Sequence, residues 1–362
     1  MQRPSMDRRS VLRAGALATT ALGFGAAANS AAGAELSGTP AAPGQDAGRI
    51  DTHHHALPSD MRKWAVEHGL LPPQGGPRWG QWDLKKTLET MDANRIALGV
   101  ASAPAPSEVF HDKALAASGA RIFNESLADL VRSHPTRFGF FAYLPLLHVD
   151  VALREAAYAL DELGADGVLM MTTAGGRYLG DKAFDPLFAE LDRRRAVVMT
   201  HPDALPEDPE PILGVDDWVA DFMYDTTRCA LNLVTSGTTE RHPHVSIILS
   251  HGGGFLPYIA GRVERAGRRG EGPEPRAFRR ALKRFHYDTA LPLSPYASPT
   301  LLNAVGAERV LYGTDWPQVE ASEVAHSRRA FDRDPNISHR ARAAINRTNA
   351  LRLLPTVAAR LR

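Results

Sequence analysis

Eight short runs of β-forming residues, separated by helical stretches, constrain the fold of this chain more than any other feature. The runs lie at 49–51 continuing into a histidine cluster, 96–100, 137–144, 167–171, 196–200, 245–249, 285–288 and 309–312. Between them apolar residues recur at steps of three and four, as in Leu84, Leu88 and Met91. Alternating strands and helices predict a parallel sheet, and eight such units predict an α/β fold, a (β/α)₈ TIM barrel.

A doubly wound open sheet is the alternative architecture. No GxGxxG or GxxxxGK[ST] motif follows any of the runs, so neither a dinucleotide-binding fold nor a phosphate-binding loop is supported. Residues 56–82 are too rich in Pro and Gly for a plain first helix, which favours a small insertion over the barrel mouth. After Trp316, helical stretches at 322–332 and 338–353 are expected to close the barrel and pack against its outside.

The N-terminal residues 1–34 have the pattern of an export signal. Arg8 and Arg9 precede a Gly/Ala/Thr-rich apolar core and a tail of small residues. The paired arginines resemble a twin-arginine signal, which predicts a periplasmic or extracellular enzyme. A membrane anchor is the alternative, but the core is shorter than the roughly 20 apolar residues that a span needs. Residues 35–48 are expected to form a flexible lead-in, and 49–362 the barrel domain.

The composition excludes several classes of function. The chain has 42 Lys and Arg against 41 Asp and Glu, and this net charge of +1 is too small to attract nucleic acid or anionic lipid. A small-molecule substrate is therefore expected. The single cysteine, Cys229, excludes an intramolecular disulfide and a CxxC metal site. A bound metal must therefore use carboxylates and some of the 14 histidines.

Ionisable residues stand where four of the runs end. They are the DTHHH segment at 51–55, His201 at the fifth run, His251 at the sixth and Asp315 at the eighth. Side chains alternate along a strand, so His53 and His55 face the same side. The intervals between the four positions match four, one and two βα units of about 30 to 40 residues, which places them all at one barrel mouth. Imidazoles and a carboxylate predict a metal centre that suits Zn²⁺, with Mn²⁺ and Fe²⁺ as alternatives.

The same residues carry a resemblance to a known family. Together with RFGFF at 137–141, ALDELGADG at 159–167 and IILSHGGG at 247–254, they resemble the amidohydrolase superfamily. Within it, the sequence is most similar to the branch of decarboxylases that act on aminocarboxymuconate semialdehyde, γ-resorcylate and 6-methylsalicylate, and above all to the 6-methylsalicylate decarboxylases. The resemblance extends from Arg49 to about Leu354.

This resemblance implies that His53, His55, His201 and Asp315 hold one divalent metal ion. His251 is then the acid/base catalyst beside it, with Asp315 as a second candidate for delivering the proton. No lysine or glutamate ends the fourth run, DGVLMMT, so the bridging ligand of two-metal relatives is absent and a single ion is expected.

Three further residues are candidate substrate contacts: Arg262, Asp288 and Trp316. Arg262 matches an arginine that in the semialdehyde decarboxylase reaches into the neighbouring subunit's site, which implies a homodimer and a counter-charge for the substrate carboxylate. A surface or helix-capping role is its alternative. Asp288 is expected to orient substrate or His251, or to serve the structure alone, and Trp316 to line an aromatic pocket or the core. Asp51 is expected to support the strand end, with direct metal ligation as the alternative.

These features predict a metal-dependent carboxy-lyase that removes CO₂, without oxidation, from an aromatic or unsaturated carboxylic acid such as a 6-methylsalicylate-like hydroxybenzoate. The ring carbon must be protonated in such a reaction, so that bond cleavage leaves no unstabilised aryl carbanion. A metal-dependent hydrolase of a lactone, ester or amide on the same scaffold is the first alternative. A non-catalytic metal- or ligand-binding protein is the second.

Overall fold

The computed structural model describes residues 48–203, 214–291 and 294–362. The expected export signal at 1–34 and all of the expected lead-in except Gly48 lie outside these residues. No helix in the described ranges is long and apolar enough to cross a membrane.

The described residues form ten strands, eight of which make one sheet. In chain order they are β1 (Arg49–His55), β2 (Ile96–Ser102), β3 (Phe138–Tyr143), β4 (Gly167–Met171), β5 (Thr173–Ala174), β6 (Arg177–Tyr178), β7 (Val197–His201), β8 (Ser246–Leu249), β9 (His286–Asp288) and β10 (Val310–Leu311). The large sheet has the order β1-β2-β3-β4-β7-β8-β9-β10, and each of its ladders is parallel. β5 and β6 form a separate antiparallel hairpin.

Backbone hydrogen bonds close the sheet into a barrel. The segment after β10 runs beside β1, where the Thr52 N–H donates to the Tyr312 carbonyl at 2.9 Å and the Asp315 N–H donates to the His53 carbonyl at 2.8 Å. Each of the eight predicted runs overlaps one of the eight strands of this sheet, so the (β/α)₈ barrel is confirmed and the open sheet is excluded. The C-terminal strand ends therefore share one mouth, as the site requires.

Helices surround the barrel. They are α1 (Ser59–Glu67), α2 (Leu84–Ala93), α3 (Lys113–Ser133), α4 (Val149–Asp161), α5 (Asp185–Arg193), α6 (Asp217–Thr235), α7 (Thr238–Arg241), α8 (Leu256–Arg268), α9 (Pro275–Arg284), α10 (Ser298–Val305), α11 (Ala321–Arg333), α12 (His339–Ala343), α13 (Asn349–Leu353) and α14 (Pro355–Arg360). A π-helical turn, Ala344–Thr348, joins α12 to α13. The two helical stretches predicted after Trp316 are thus present, the second interrupted by this turn.

The core is continuous between strands and helices. All six residues of β3, FGFFAY, are buried, because one face of a barrel strand packs in the interior and the other packs against the helices. The C-terminal helix is fixed at the opposite end from the mouth. There the guanidinium of Arg360 donates to both carboxylate oxygens of Asp166, at 2.7 and 2.8 Å, while Asp166 also accepts the N–H of Phe140.

The insertion at 56–82 contains a helix that the sequence analysis did not expect. α1 forms in its first half, where Met61 and Ala65 are buried, because the prolines and glycines are concentrated after Gly69. The guanidinium of Arg62 in α1 donates to the carbonyls of Gly80 and Pro72 in the second half and so holds the insertion together.

Candidate metal centre

Three strand ends bring the predicted quartet together. One ligand atom from each of His53, His55, His201 and Asp315 lies within 4.8 Å of the others, and all four residues are buried. His53 and His55 come from the end of β1, His201 ends β7, and Asp315 follows β10. The imidazole centroids of His53, His55 and His201 are 5.0 to 5.3 Å apart. The interval argument from the sequence therefore placed the four residues at one point of the barrel mouth.

Each histidine of the quartet is oriented through its Nδ1 atom. Nδ1 of His53 lies 2.8 Å from the Asp288 carboxylate, and Nδ1 of His201 lies 2.8 Å from the Pro202 carbonyl. Both partners accept only, so each Nδ1 carries the hydrogen. Nδ1 of His55 lies 2.9 Å from the Ser102 hydroxyl, which itself donates to the His54 carbonyl. This leaves a lone pair on Nε2 of all three rings.

These lone pairs converge where a cation fits. Among the described residues, Nε2 of His53 and Nε2 of His201 are buried and have no hydrogen-bond partner. Nε2 of His55 lies 2.9 Å from Oδ1 of Asp315, and Nε2 of His53 lies 3.2 Å from the same oxygen. At such distances either a hydrogen or a metal ion must lie between the nitrogen and the oxygen. A buried set of three imidazoles and one carboxylate therefore suits one divalent metal ion.

The pKa values of the centre lead to the same conclusion. Burial lowers the pKa of His201 well below its ordinary value and also lowers that of His55, which keeps both rings neutral. Burial alone would lower the pKa of His53, but the carboxylates of Asp288 and Asp315 raise it to about 10. Burial opposes ionisation of Asp315, yet His53 and its hydrogen bonds hold its pKa well below the usual range. The raised pKa of His53 reflects the pull of these two carboxylates for a positive charge at this point, which a bound divalent ion would supply in place of a proton on Nε2.

The end of β4 offers no further ligand. Thr172 follows this strand, and its hydroxyl donates to the carboxylate of Asp225. As the sequence predicts, neither a lysine nor a glutamate stands at this strand end. The described residues of the centre therefore suit one ion rather than two.

His251 lies directly beside the quartet. Its Nε2 atom is 3.7 Å from Oδ2 of Asp315, and its ring centroid is 4.9 Å from that of His53. The side chain is buried, and neither ring nitrogen has a hydrogen-bond partner among the described residues. Asp315 thus presents Oδ1 to the ligand histidines and Oδ2 to His251. This arrangement leaves the His251 imidazole free to exchange a proton with a bound molecule.

An unusual backbone holds His251 in place. Both His251 (φ 52°) and Asp315 (φ 64°) adopt left-handed conformations, which are costly for residues other than glycine and cluster at functional sites. The following Gly254 also has a positive φ, and a Cβ atom there would collide with the Met223 carbonyl of α6. The backbone N–H of His251 donates to Oδ1 of Asp288 at 2.9 Å. Gly254 of the SHGGG segment is therefore required sterically by the turn that presents the imidazole.

Asp288 and Asp51 hold the strand ends rather than lie open at the mouth. The fully buried Asp288 uses Oδ2 for His53 and Oδ1 for the N–H groups of His251 and Ala290. Asp51 accepts from the His53 N–H, from Nδ1 of His54 and from the Thr314 N–H and hydroxyl, which is the support that the sequence analysis expected. Contact of Asp288 with substrate stays a prediction, since both of its oxygens already have protein partners.

The other two candidate substrate contacts are Trp316, which is buried, and Arg262, which is exposed. The indole of Trp316 is buried, and its N–H donates to the Thr87 hydroxyl of α2 at 3.1 Å. Arg262 is exposed on α8. Their contact with substrate stays a prediction. Ser102 was not predicted from the sequence, since the second predicted run ends at residue 100, whereas β2 extends to Ser102.

Comparison with known proteins agrees with this geometry. The amidohydrolase family model matches residues 50–356. The chain is 35% identical to decarboxylase yanB of Aspergillus niger (85% of this chain and 87% of the relative) and 34% identical to 6-methylsalicylic acid decarboxylase acuB of Aspergillus aculeatus (79% and 89%). A crystal structure of dihydroxybenzoic acid decarboxylase from Polaromonas sp. JS666, with bound manganese and 2-nitroresorcinol, is 25% identical, with a TM-score of 0.72 over 85% of this chain and 97% of that one. The resemblance stated from the motifs is confirmed, and the chain belongs to the amidohydrolase family.

Proposed function

We propose that this chain is a metal-dependent, non-oxidative decarboxylase that removes CO₂ from a hydroxybenzoate-type aromatic acid. The observation that carries the proposal is the buried imidazole of His251, which has no hydrogen-bond partner among the described residues and lies beside a quartet suited to one divalent ion. The relatives named as decarboxylases, at 34 to 35% identity over most of the chain, support the same reaction.

The chemistry divides between the quartet and His251. A divalent ion held by His53, His55, His201 and Asp315 would polarise the carboxylate and neighbouring hydroxyl oxygens of the substrate. The protonated imidazole of His251 donates its proton to the ring carbon that bears the carboxylate. The bond to the carboxylate then breaks, its electron pair returns to the ring, and CO₂ leaves. Oδ2 of Asp315, 3.7 Å from Nε2 of His251, stabilises the imidazolium before transfer.

Proton NMR of the metal-loaded protein in D₂O tests this proposal. The panel contains hydroxybenzoates, including 6-methylsalicylate, together with aryl lactones and esters. We expect loss of the carboxyl group and deuterium at the vacated ring carbon. De-esterified or ring-opened products with every carboxylate retained would show a hydrolase instead. His244→Asn, which changes an exposed histidine bonded to Asp192, is a matched control that should retain turnover.

We further propose Zn²⁺ as the bound ion. Three imidazole nitrogens and one carboxylate oxygen form a donor set that zinc favours. The manganese in the related dihydroxybenzoic acid decarboxylase makes Mn²⁺ the main competitor. Elemental analysis of protein purified without added metal, followed by reconstitution of apoprotein with each ion, distinguishes them. Full activity with Mn²⁺ alone would contradict the zinc assignment.

A homodimer is also proposed. Large apolar side chains are exposed near the starts of α6 and α8: Trp218 is 49% exposed, Val219 46%, Phe255 39% and Tyr258 79%. Such patches are typical of interfaces. Arg262 lies one helical turn after Tyr258, on the same face of α8. Analytical ultracentrifugation should show a dimer that Tyr258→Asp dissociates, and a monomeric wild-type protein would contradict the proposal.

Export by the twin-arginine route is proposed from the sequence of residues 1–34 alone. In the native host the mature protein should lack these residues, as N-terminal sequencing would show. Replacing Arg8 and Arg9 with lysine should retain the protein in the cytoplasm. Unchanged export of this double variant would contradict the route.

A further inference from the structure

A large cavity adjoins the metal centre on the side of the insertion. It measures about 490 Å³ and lies between residues 56–79, the loop after β2 and the segment Pro317–Gln318. His55 is a lining residue of this cavity and also belongs to the quartet, so the cavity reaches one edge of the metal centre. Both halves of the insertion contribute to its wall, which explains why this segment folds over the barrel mouth.

The lining of the cavity is apolar. Apart from His55 and Gln318 it consists of aliphatic, aromatic, proline and glycine residues, and none of the described lining residues is charged. The largest side chains come from three places in the chain: Met61, Leu71 and Trp79 of the insertion, Val109 of the loop after β2, and Phe123 of α3. Such walls hold water poorly and favour an apolar occupant.

The volume exceeds what one small ring fills. A cavity of about 150 Å³ accommodates a benzene molecule, so a single ring would fill about a third of the space here. Cavities of about 300 to 1,000 Å³ are typical of sites for larger ligands. A hydroxybenzoate without a sizeable substituent would therefore leave most of this apolar surface uncovered.

The orientation of a bound acid follows from charge. A carboxylate placed in the cavity would find no cation among the described lining residues, and burying an unpaired charge is costly. The carboxylate must therefore remain at the metal quartet, so that the part of the molecule furthest from it enters the cavity. This argument rests on the proposed decarboxylase function.

We infer that the substrate is an aromatic carboxylic acid with an apolar substituent larger than methyl, an alkyl chain or second ring, which occupies this cavity. Burial of the apolar substituent in the cavity adds binding free energy to that of the carboxylate at the metal quartet. Because it contacts the same walls before and during reaction, it affects KM more than kcat.

A series of 6-alkylsalicylates with methyl, propyl, pentyl and heptyl groups tests the inference on metal-loaded protein. We expect kcat/KM to rise by about two- to fourfold per methylene until the cavity is full. The increase should appear as a falling KM. A constant or falling kcat/KM beyond methyl would overturn the inference while leaving decarboxylation of the parent acid intact.

Variants that reduce the cavity provide the second arm. Ala65→Leu in α1 and Ala105→Leu in the loop after β2 add a side chain to the wall, and the half-buried Ala105 tolerates the change without core disruption. Each should lower the ratio of pentyl to methyl kcat/KM at least tenfold. Ala93→Leu, at the exposed end of α2, is the matched control and should preserve the ratio. An unchanged ratio in both cavity variants would overturn the inference.

Calorimetric binding of 3-alkylphenols, which carry no carboxylate, provides a readout independent of turnover. We expect binding that strengthens with chain length and weakens in Ala105→Leu, with or without metal. If alkylphenols bind in this way but no acid loses CO₂, the cavity assignment stands and the proposed reaction fails. If hydroxybenzoates are decarboxylated but no alkylphenol binds, the reaction stands and the cavity assignment fails.

Discussion

Replacing Asp288 with asparagine should disable the metal centre without touching a ligand. Oδ2 of Asp288 accepts the Nδ1 hydrogen of His53 at 2.8 Å, while Oδ1 accepts the backbone N–H groups of His251 and Ala290 at 2.9 and 3.0 Å. Asparagine keeps the shape but has only one acceptor oxygen. If that oxygen still accepts from the two backbone N–H groups, the amide NH₂ faces His53. Nδ1 of His53 must then become a hydrogen-bond acceptor. The hydrogen then moves to Nε2, which removes the lone pair that a metal needs.

The expected loss of metal affinity is about 100-fold, or about 2.7 kcal/mol. Removing a partner of a ligating histidine ordinarily costs about 10- to 100-fold. The upper end applies because Asp288→Asn also removes a fully buried negative charge, which lies 2.8 Å from Nδ1 of His53 and would attract a divalent ion. The opposite orientation of the amide is no better, since its NH₂ would then face two N–H donors.

Competition with a chromophoric chelator measures this affinity directly. Asp166→Asn is the matched control, because Asp166 is also a buried carboxylate but accepts from Phe140 and Arg360 at the far end of the barrel. The control should lower stability and leave the metal dissociation constant unchanged. Wild-type affinity in Asp288→Asn would refute the argument that this carboxylate fixes the His53 tautomer.

Four further predictions concern the proton donor, the turn that presents it, the metal and the far end of the barrel. His251→Asn should retain bound metal and lose turnover about 10²- to 10⁴-fold, which metal analysis and the NMR assay measure together; wild-type turnover would exclude the role. Gly254→Ala should cost about 1 to 3 kcal/mol, because its positive φ and the Met223 carbonyl leave no room for a methyl group, and a lower Tm would show it. Chelation should also lower Tm, since an ion at 1,000 times its dissociation constant stabilises the fold by about 4 kcal/mol. Burial, together with nearby Arg309 and Arg352, lowers the pKa of His286 to about 4. The folded state therefore binds fewer protons than the unfolded state, and the free energy of unfolding falls by up to about 3 kcal/mol as the pH drops from 6.5 to 4. His286→Gln should flatten this decline, which urea titrations at several pH values measure.

Much of the fold was predictable because each barrel strand has a local signal. The apolar runs at 167–171 and 245–249 coincide with β4 and β8 to within one residue at each end. The insertion was harder, since its overall Pro and Gly content concealed the nine residues of α1. There the helix depends on burying Met61 and Ala65 against the rest of the barrel, a contact that composition alone does not report.

The site was predictable where strand order determines it and not where side chains meet across strands. His53, His55, His201 and Asp315 each follow a strand, so their convergence follows from barrel closure alone. Barrel closure does not predict the hydrogen-bond partners that orient these residues. Ser102 reaches His55 from the neighbouring strand β2, and Asp288 reaches His53 from β9, which β10 separates from β1, so both contacts depend on side-chain packing that only the folded chain specifies.

The metal centre and the apolar cavity are built from different parts of the chain and should control different properties of the enzyme. The quartet and His251 lie at the ends of barrel strands, whose positions are fixed by the ladders of the closed sheet, so the proposed chemistry rests on residues that have little freedom to move. The cavity instead arises mainly from the insertion and the loop after β2, which can change length and side chains without disturbing those ladders. Substrate choice should therefore follow the insertion. Transplanting residues 56–82 into a relative that decarboxylates small hydroxybenzoates should transfer a preference for apolar substituents while its metal affinity stays constant.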